Sequence, residues 1–139
     1  MAKNGNAKHW IEGGIARLAY EGELDFELLA GAHQGIAADP AFYPEIPKLI
    51  DLRRVTKFHT FEEFLKVSEV TAGLHADAKR RRRVAVVSGD VMVEKLSRLY
   101  QEASAMRGAT NPPEYWYFAS LEAAETWLRE GLPRRAAAY

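Results

Sequence analysis

There is no cysteine among the 139 residues, which removes disulfides, thiol nucleophiles and cysteine-based zinc sites. Net charge is missing too, because 19 Lys and Arg stand against 19 Asp and Glu. Without a global positive field, nucleic-acid binding is not expected. No stretch reaches the roughly 18 consecutive apolar residues of a membrane span. The polar start of the chain lacks the apolar run of a signal peptide. The expectation is a cytoplasmic protein with no membrane span. The phosphate-cradling patterns G-x-x-x-x-G-K and G-x-G-x-x-G are absent, as is the nucleophile elbow G-x-S-x-G. His9, His33, His59 and His75 show no metal-ligand spacing and read as surface or partly buried side chains. No metal or cofactor is expected. Nothing pairs a nucleophile with a base, so an enzyme is not expected either.

What is present is a pattern of alternating strands and helices. Residues 9–12 and 15–20 flank Gly13-Gly14, a dipeptide suited to a primed hairpin turn. Asp25 caps a helix whose Leu28, Leu29, Ala32 and Ile36 recur at helical spacing, and Asp39-Pro40 stops it. Residues 48–52 read as a short strand. Phe61, Phe64, Leu65, Val67, Val70 and Leu74 give the next helix a broad apolar face. Residues 83–87 form the most β-prone run and read as a strand buried on both faces. A helix over residues 91–108 carries Met92, Leu96, Leu99, Ala103 and Met106 in steps of three and four. Asn111-Pro112-Pro113 breaks the chain before a strand over 115–118 and a helix striped by Leu121, Ala124, Trp127 and Leu128. The expected fold is α/β: a mostly parallel sheet of about five strands with an antiparallel N-terminal edge hairpin, covered by about four helices. One domain is expected over residues 10–130, with 1–9 and 131–139 as flexible termini.

Two segments carry a resemblance. Asp39-Pro40-Ala41-Phe42-Tyr43-Pro44-Glu45 leads into Leu49-Ile50-Asp51-Leu52-Arg53-Arg54-Val55-Thr56, and Val84-Ala85-Val86-Val87-Ser88-Gly89-Asp90 precedes a closing Phe118 and Ala124-Glu125-Thr126-Trp127-Leu128. Together they resemble bacterial STAS-like domains, relatives of anti-sigma-factor antagonists and sulfate-transporter tails. Within that group they are similar to a single-domain branch grouped with CRAL-TRIO-type lipid carriers. The resemblance implies a non-enzymatic regulatory or protein-binding module with an unknown protein partner. It also implies an alternative, a carrier or sensor of a small apolar or anionic ligand. It places Thr60 at the phospho-acceptor position, with His59 and Phe61-Glu62 departing from the usual Asp and Ser-Gly.

In a parallel sheet, ligands gather beyond the carboxyl ends of the strands. A loop over residues 53–60, the Ser88-Gly89-Asp90 turn and Ala119-Ser120 all fall on that edge. They make Arg53, Thr60, Ser88, Gly89, Asp90 and Ser120 the candidate binding residues. The commoner role for such residues is capping, and Thr60-Phe61-Glu62-Glu63 fits a capping box. Lys79-Arg80-Arg81-Arg82-Arg83 reads as a solvated connection after a helix end rather than a nucleic-acid patch. Phe58, Phe61, Phe64, Tyr100, Trp116 and Trp127 read as core. Exposed aromatics such as Trp10 and Tyr43 make a homodimer an expectation. A ligand carrier would need a pocket of about 300 Å³ or more between the sheet and the 91–108 helix.

Overall fold

A computed structural model describes residues 4–105 and 112–132. Their strands are β1 (Gly5–Glu12), β2 (Ile15–Glu23), β3 (Lys48–Lys57), β4 (Arg83–Val87) and β5 (Glu114–Phe118). The helices between and after them are α1 (Phe26–Ala37), α2 (Phe61–Leu74), α3 (Val91–Ala105) and α4 (Leu121–Glu130). All strands join one sheet in the order β1-β2-β3-β4-β5. β1 and β2 are antiparallel, and every later neighbour is parallel. Gly13 and Gly14 make the hairpin turn at φ 63° and 76°, the left-handed region that a primed turn demands at both central positions.

The strand period of two sorts side chains onto two faces. One face carries Ala16, Leu18 and Tyr20 of β2, Leu52 of β3 and Val86 of β4. These pack with Leu29, Ala32 and Ile36 of α1, Val67 of α2 and Val93 of α3. The other face carries Ile15, Leu49, Ala85 and Val87 against Ala124 and Leu128 of α4. Buried on both faces, Val84 through Val87 form the interior strand β4, between β3 and β5, as their composition predicts.

Several expectations need correction. Residues 5–9, expected to be flexible, form the first half of β1, because β2 continues past Tyr20 and offers Tyr20, Glu21 and Gly22 as partners. His9 lies across α1 at Gly35, where any Cβ would run into its ring. β3 does not end near Leu52. The same long β2 pairs Arg54, Val55 and Lys57, so Arg53 stands in a strand and not in a loop. The periodicity of α3 is right but its face is not. Val93 and Ser97 are buried, whereas Met92 and Leu99 are about 60% exposed. Trp116, expected in the core, is exposed on edge strand β5, and Tyr43 is packed against the core instead of standing free. Met106, Gly108, Asn111 and residues 133–139 lie outside the described residues.

Candidate functional site

The strand-to-helix turns do share the carboxyl edge of the sheet. Asp51 of β3 is level with Val87 of β4, so Arg53 follows on one strand as Ser88-Gly89-Asp90 follows on the next. Ser88 N donates to Phe118 O at 3.1 Å, which ties the end of β4 to the end of β5 and to Ser120. An open depression of about 220 Å³ lies there, bounded by Ser88, Glu94, Phe118 and Ala119. Each polar side chain of this rim also has a local task. Arg53 forms a two-pronged contact with Asp51, Nε to Oδ1 at 3.0 Å and Nη2 to Oδ2 at 2.9 Å. Met92 N donates to Asp90 Oδ1 at 2.8 Å and Ala123 N to Ser120 Oγ at 3.2 Å, satisfying amides at the starts of α3 and α4.

Thr60 stands apart, at the β2–β3 side of the edge. Its Oγ1 accepts from Glu63 N at 3.1 Å, while Glu63 Oε1 accepts from Thr60 N at 3.0 Å, a complete capping box. Glu63 Oε2 also accepts from Phe26 N at 2.9 Å, stapling α2 to α1. These amides, Thr60 first, hold the Glu63 carboxyl below its usual pKa range. A phosphate on Thr60 would meet that carboxylate.

A second constellation, not anticipated from the sequence, lies beneath α1, α2 and α3 in a pocket that is partly open to solvent. Between the sheet and α1, α2 and α3 is a cavity of about 80 Å³. Its polar lining includes His33, Lys48, His59 and Arg82, all less than 9% exposed, and Lys48 is only 2% exposed. Lys48 Nζ donates to His33 Nδ1 at 2.8 Å. None of the described lining residues is Asp or Glu. Several polar atoms around this interior lack a partner: Tyr20 OH, both His59 ring nitrogens, Arg82 Nε and Gln101 Oε1. Burial, and then the neighbouring Arg82 charge, push the Lys48 pKa well below its ordinary value. Burial also lowers His33 strongly, with Lys48 adding to the effect, and lowers His59 to about 4. Nearby, His75 donates from Nδ1 to Pro44 O at 2.7 Å, and burial followed by the Lys48 charge lowers it to about 3. The arrangement concentrates positive charge and donors with no internal counter-charge. In chemical terms it can neutralise an anion.

The basic run 79–83 is accordingly not a uniformly solvated connection. Arg81 is exposed and donates to Pro112 O at 2.8 Å. Arg82 turns into the cavity, and Arg83 lies over the Trp127 ring and donates to its carbonyl at 2.7 Å. Three of the histidines expected to be surface or partly buried side chains, His33, His59 and His75, are in fact buried. The signal for Lys48 was its place in the period-two series Lys48, Ile50, Leu52. His33 sits between Leu29 and Ile36 on the apolar stripe of α1.

This architecture is a SpoIIAA-like α/β fold. An anti-sigma factor antagonist from Mycobacterium paratuberculosis superposes with a TM-score of 0.60 at 16% identity, covering 90% of this chain and 94% of that one. A DUF3478-family protein with a SpoIIAA-like fold, from Shewanella loihica, superposes with a TM-score of 0.57 at 18% identity, covering 92% and 98%. No family model matches the sequence, and no curated protein is similar to it.

Proposed function

We propose that this protein is a non-enzymatic regulatory module of the STAS type that docks a protein partner on the carboxyl rim of its sheet. The observation that carries this is the convergence of the β4 and β5 turns, with Arg53 one strand away, around an open depression of about 220 Å³. Hydroxyls, a carboxylate and a guanidinium are displayed there on rigid strand ends, the kind of polar frame that fixes the register of a partner loop. A structural neighbour bears the name of an anti-sigma factor antagonist, and a protein target of that regulatory kind suits the present chain. The caps made by Asp90 and Ser120 hold the frame in place. Recognition then rests on the shape of the rim rather than on a modification at Thr60.

The test is affinity capture from lysate of the native host with the wild-type chain and with Ser88→Trp, which fills the depression. A protein retained by the wild type and depleted at least tenfold by Ser88→Trp is the expected result. Equal retention by both chains, or no retained protein, overturns the proposal.

A further inference from the structure

A lysine 2% exposed, next to a buried arginine and facing no acidic lining residue, is an expensive thing to build into a core. Here it is not incidental to packing, because the two cations approach from different segments, Lys48 from β3 and Arg82 from the turn before β4, on one cavity wall. We propose that this cavity is a binding site for a small monocarboxylate, whose anionic head pairs with Lys48 and Arg82 while its short chain lies on the apolar wall. This site is separate from the rim and does not depend on a protein partner.

Three features select that chemistry. The head must be anionic, since the lining supplies cations and donors such as Tyr20 OH and Arg82 Nε without an acid to match them. The body must be apolar, because Ile50, Leu52 and Val67 form part of the remaining wall, which an inorganic anion would leave uncovered. The ligand must also be small. At about 80 Å³ the pocket is well below the roughly 150 Å³ that accommodates benzene, which favours an acid of about two to four carbons. Water alone could fill the space but would leave the charges unneutralised.

The experiment is thermal unfolding of the purified chain in sodium acetate, propionate or butyrate, against sodium chloride at equal ionic strength and against neutral propionamide. Propionate is expected to raise Tm saturably by about 3 °C or more over chloride. Propionamide should do nothing. Carboxyl-labelled propionate should show a shifted, saturable ¹³C resonance that depends on the protein. Lys48→Met should abolish both signals, while Lys66→Met, the same change on an exposed lysine of α2, retains them. The proposal fails if no carboxylate exceeds chloride, if the amide matches the acid, or if Lys48→Met responds like the wild type. Should Lys48→Met not fold, Arg82→Met and the ¹³C signal of the wild type decide the matter by the same criteria.

Discussion

The two faces of the sheet treat positive charge in opposite ways. On the α4 face, Arg17 is largely buried but meets Glu125 of α4 and Glu12 of β1. Arg83, on the same face, meets the Trp127 ring and carbonyl and Glu114. Around them Ile15, Leu49, Ala85, Val87, Ala124 and Leu128 close without polar interruption. On the face under α1, α2 and α3, Lys48 and Arg82 lie deeper, with histidines for company and a cavity between them. One face is a packed seam with its cations matched. The other has the polar inventory of a site. Both grow from the same strands one residue out of phase, so stability and recognition are divided by the pleat.

Acid should separate the faces most strongly. His33, His59 and His75 are held neutral in the fold with pKa values below 6.5, whereas in the unfolded chain they titrate near that value. Above pH 6.5 they are neutral in both states and contribute no pH dependence. As pH falls below 6.5 the unfolded chain takes up the protons first, so stability falls, by roughly 2–3 kcal/mol each for His59 and His75 at pH 4.5 and in the same direction for His33. The depressed carboxyls of Glu63 and Glu125 act only at lower pH, as the solution drops through the ordinary carboxylate range. Urea unfolding at intervals between pH 7 and 4.5 measures this slope. His59→Phe, whose ring would sit between Phe58 and Phe64, should remove about a third of it. A flat profile would mean that these rings are not held neutral.

The packed face should respond to truncation instead. Leu128 is fully buried against Ala85 and Val87, and Leu128→Ala should cost about 3–5 kcal/mol in urea unfolding at any pH from 5 to 8. A loss under 1 kcal/mol would show that α4 does not seal this face.

Much of this architecture is readable from spacing and punctuation. Asp25, Thr60 and Ser120 are all N-caps with side chains accepting from the helix, as their position before apolar stripes indicates. Gly13-Gly14 turns the hairpin, and the 83–87 run is a strand buried on both faces. What was not readable follows from treating charge as a label for solvent. The basic run 79–83 looks like one solvated block, yet Arg82, just ahead of β4, turns to one face and Arg83, the first residue of the strand, to the other. Lys48 sits in register with Ala16 and Val84, between two buried neighbours, so the lattice of the sheet carries it inside whatever its charge. In α3 the apolar residues do recur at helical spacing, but Val93, Ser97 and Tyr100 turn inward. Ring contacts from Tyr100 to Phe58, Phe61 and Phe64 fix that rotation, and they are tertiary facts that no local period contains. Of the candidate residues, Ser88, Gly89, Asp90 and Ser120 do meet at one end of β4 and β5, with Arg53 one strand off and Thr60 further along the edge. The interior cluster needed the three-dimensional assembly to bring α1, β3 and the Arg82 turn together.

Lys48→Met tests how the two faces differ with a change of sign. Replacing a buried, unmatched cation by an apolar side chain of similar length should stabilise the protein, by about 1 kcal/mol after His33 loses its donor. The folded pKa of Lys48 lies below its unfolded value, so the unfolded chain holds the proton more tightly and the penalty grows as pH falls from 10.5. The advantage of the Met variant should therefore shrink between pH 7 and 10. On the opposite face Arg17→Met should lower stability, because it removes the more buried partner of Glu125 and leaves it only the exposed Arg129. If both substitutions destabilise alike, the contrast between matched and unmatched cations is wrong.

The caps act locally, with Ser120 giving the smallest effect, and they grade the same contrast at the rim. The Ser120 side chain accepts from Ala123 N at 3.2 Å, so Ser120→Ala should cost about 0.5–1 kcal/mol. Thr60 belongs to a reciprocal box whose Glu63 also accepts from Phe26, so its removal loosens a link between α1 and α2 as well as a helix start. Thr60→Ala should therefore cost more, about 1–2 kcal/mol, and Thr60→Ser should recover most of the loss because the accepting oxygen returns. Equilibrium urea curves for the three variants provide the comparison. The two helices it staples, α1 and α2, both contribute lining residues to the cavity, so Thr60→Ala should speed hydrogen exchange at the start of α1, while Ser120→Ala leaves those amides unchanged. Equal exchange in both variants would detach the cap from the cavity and leave Thr60 as a local helix start alone.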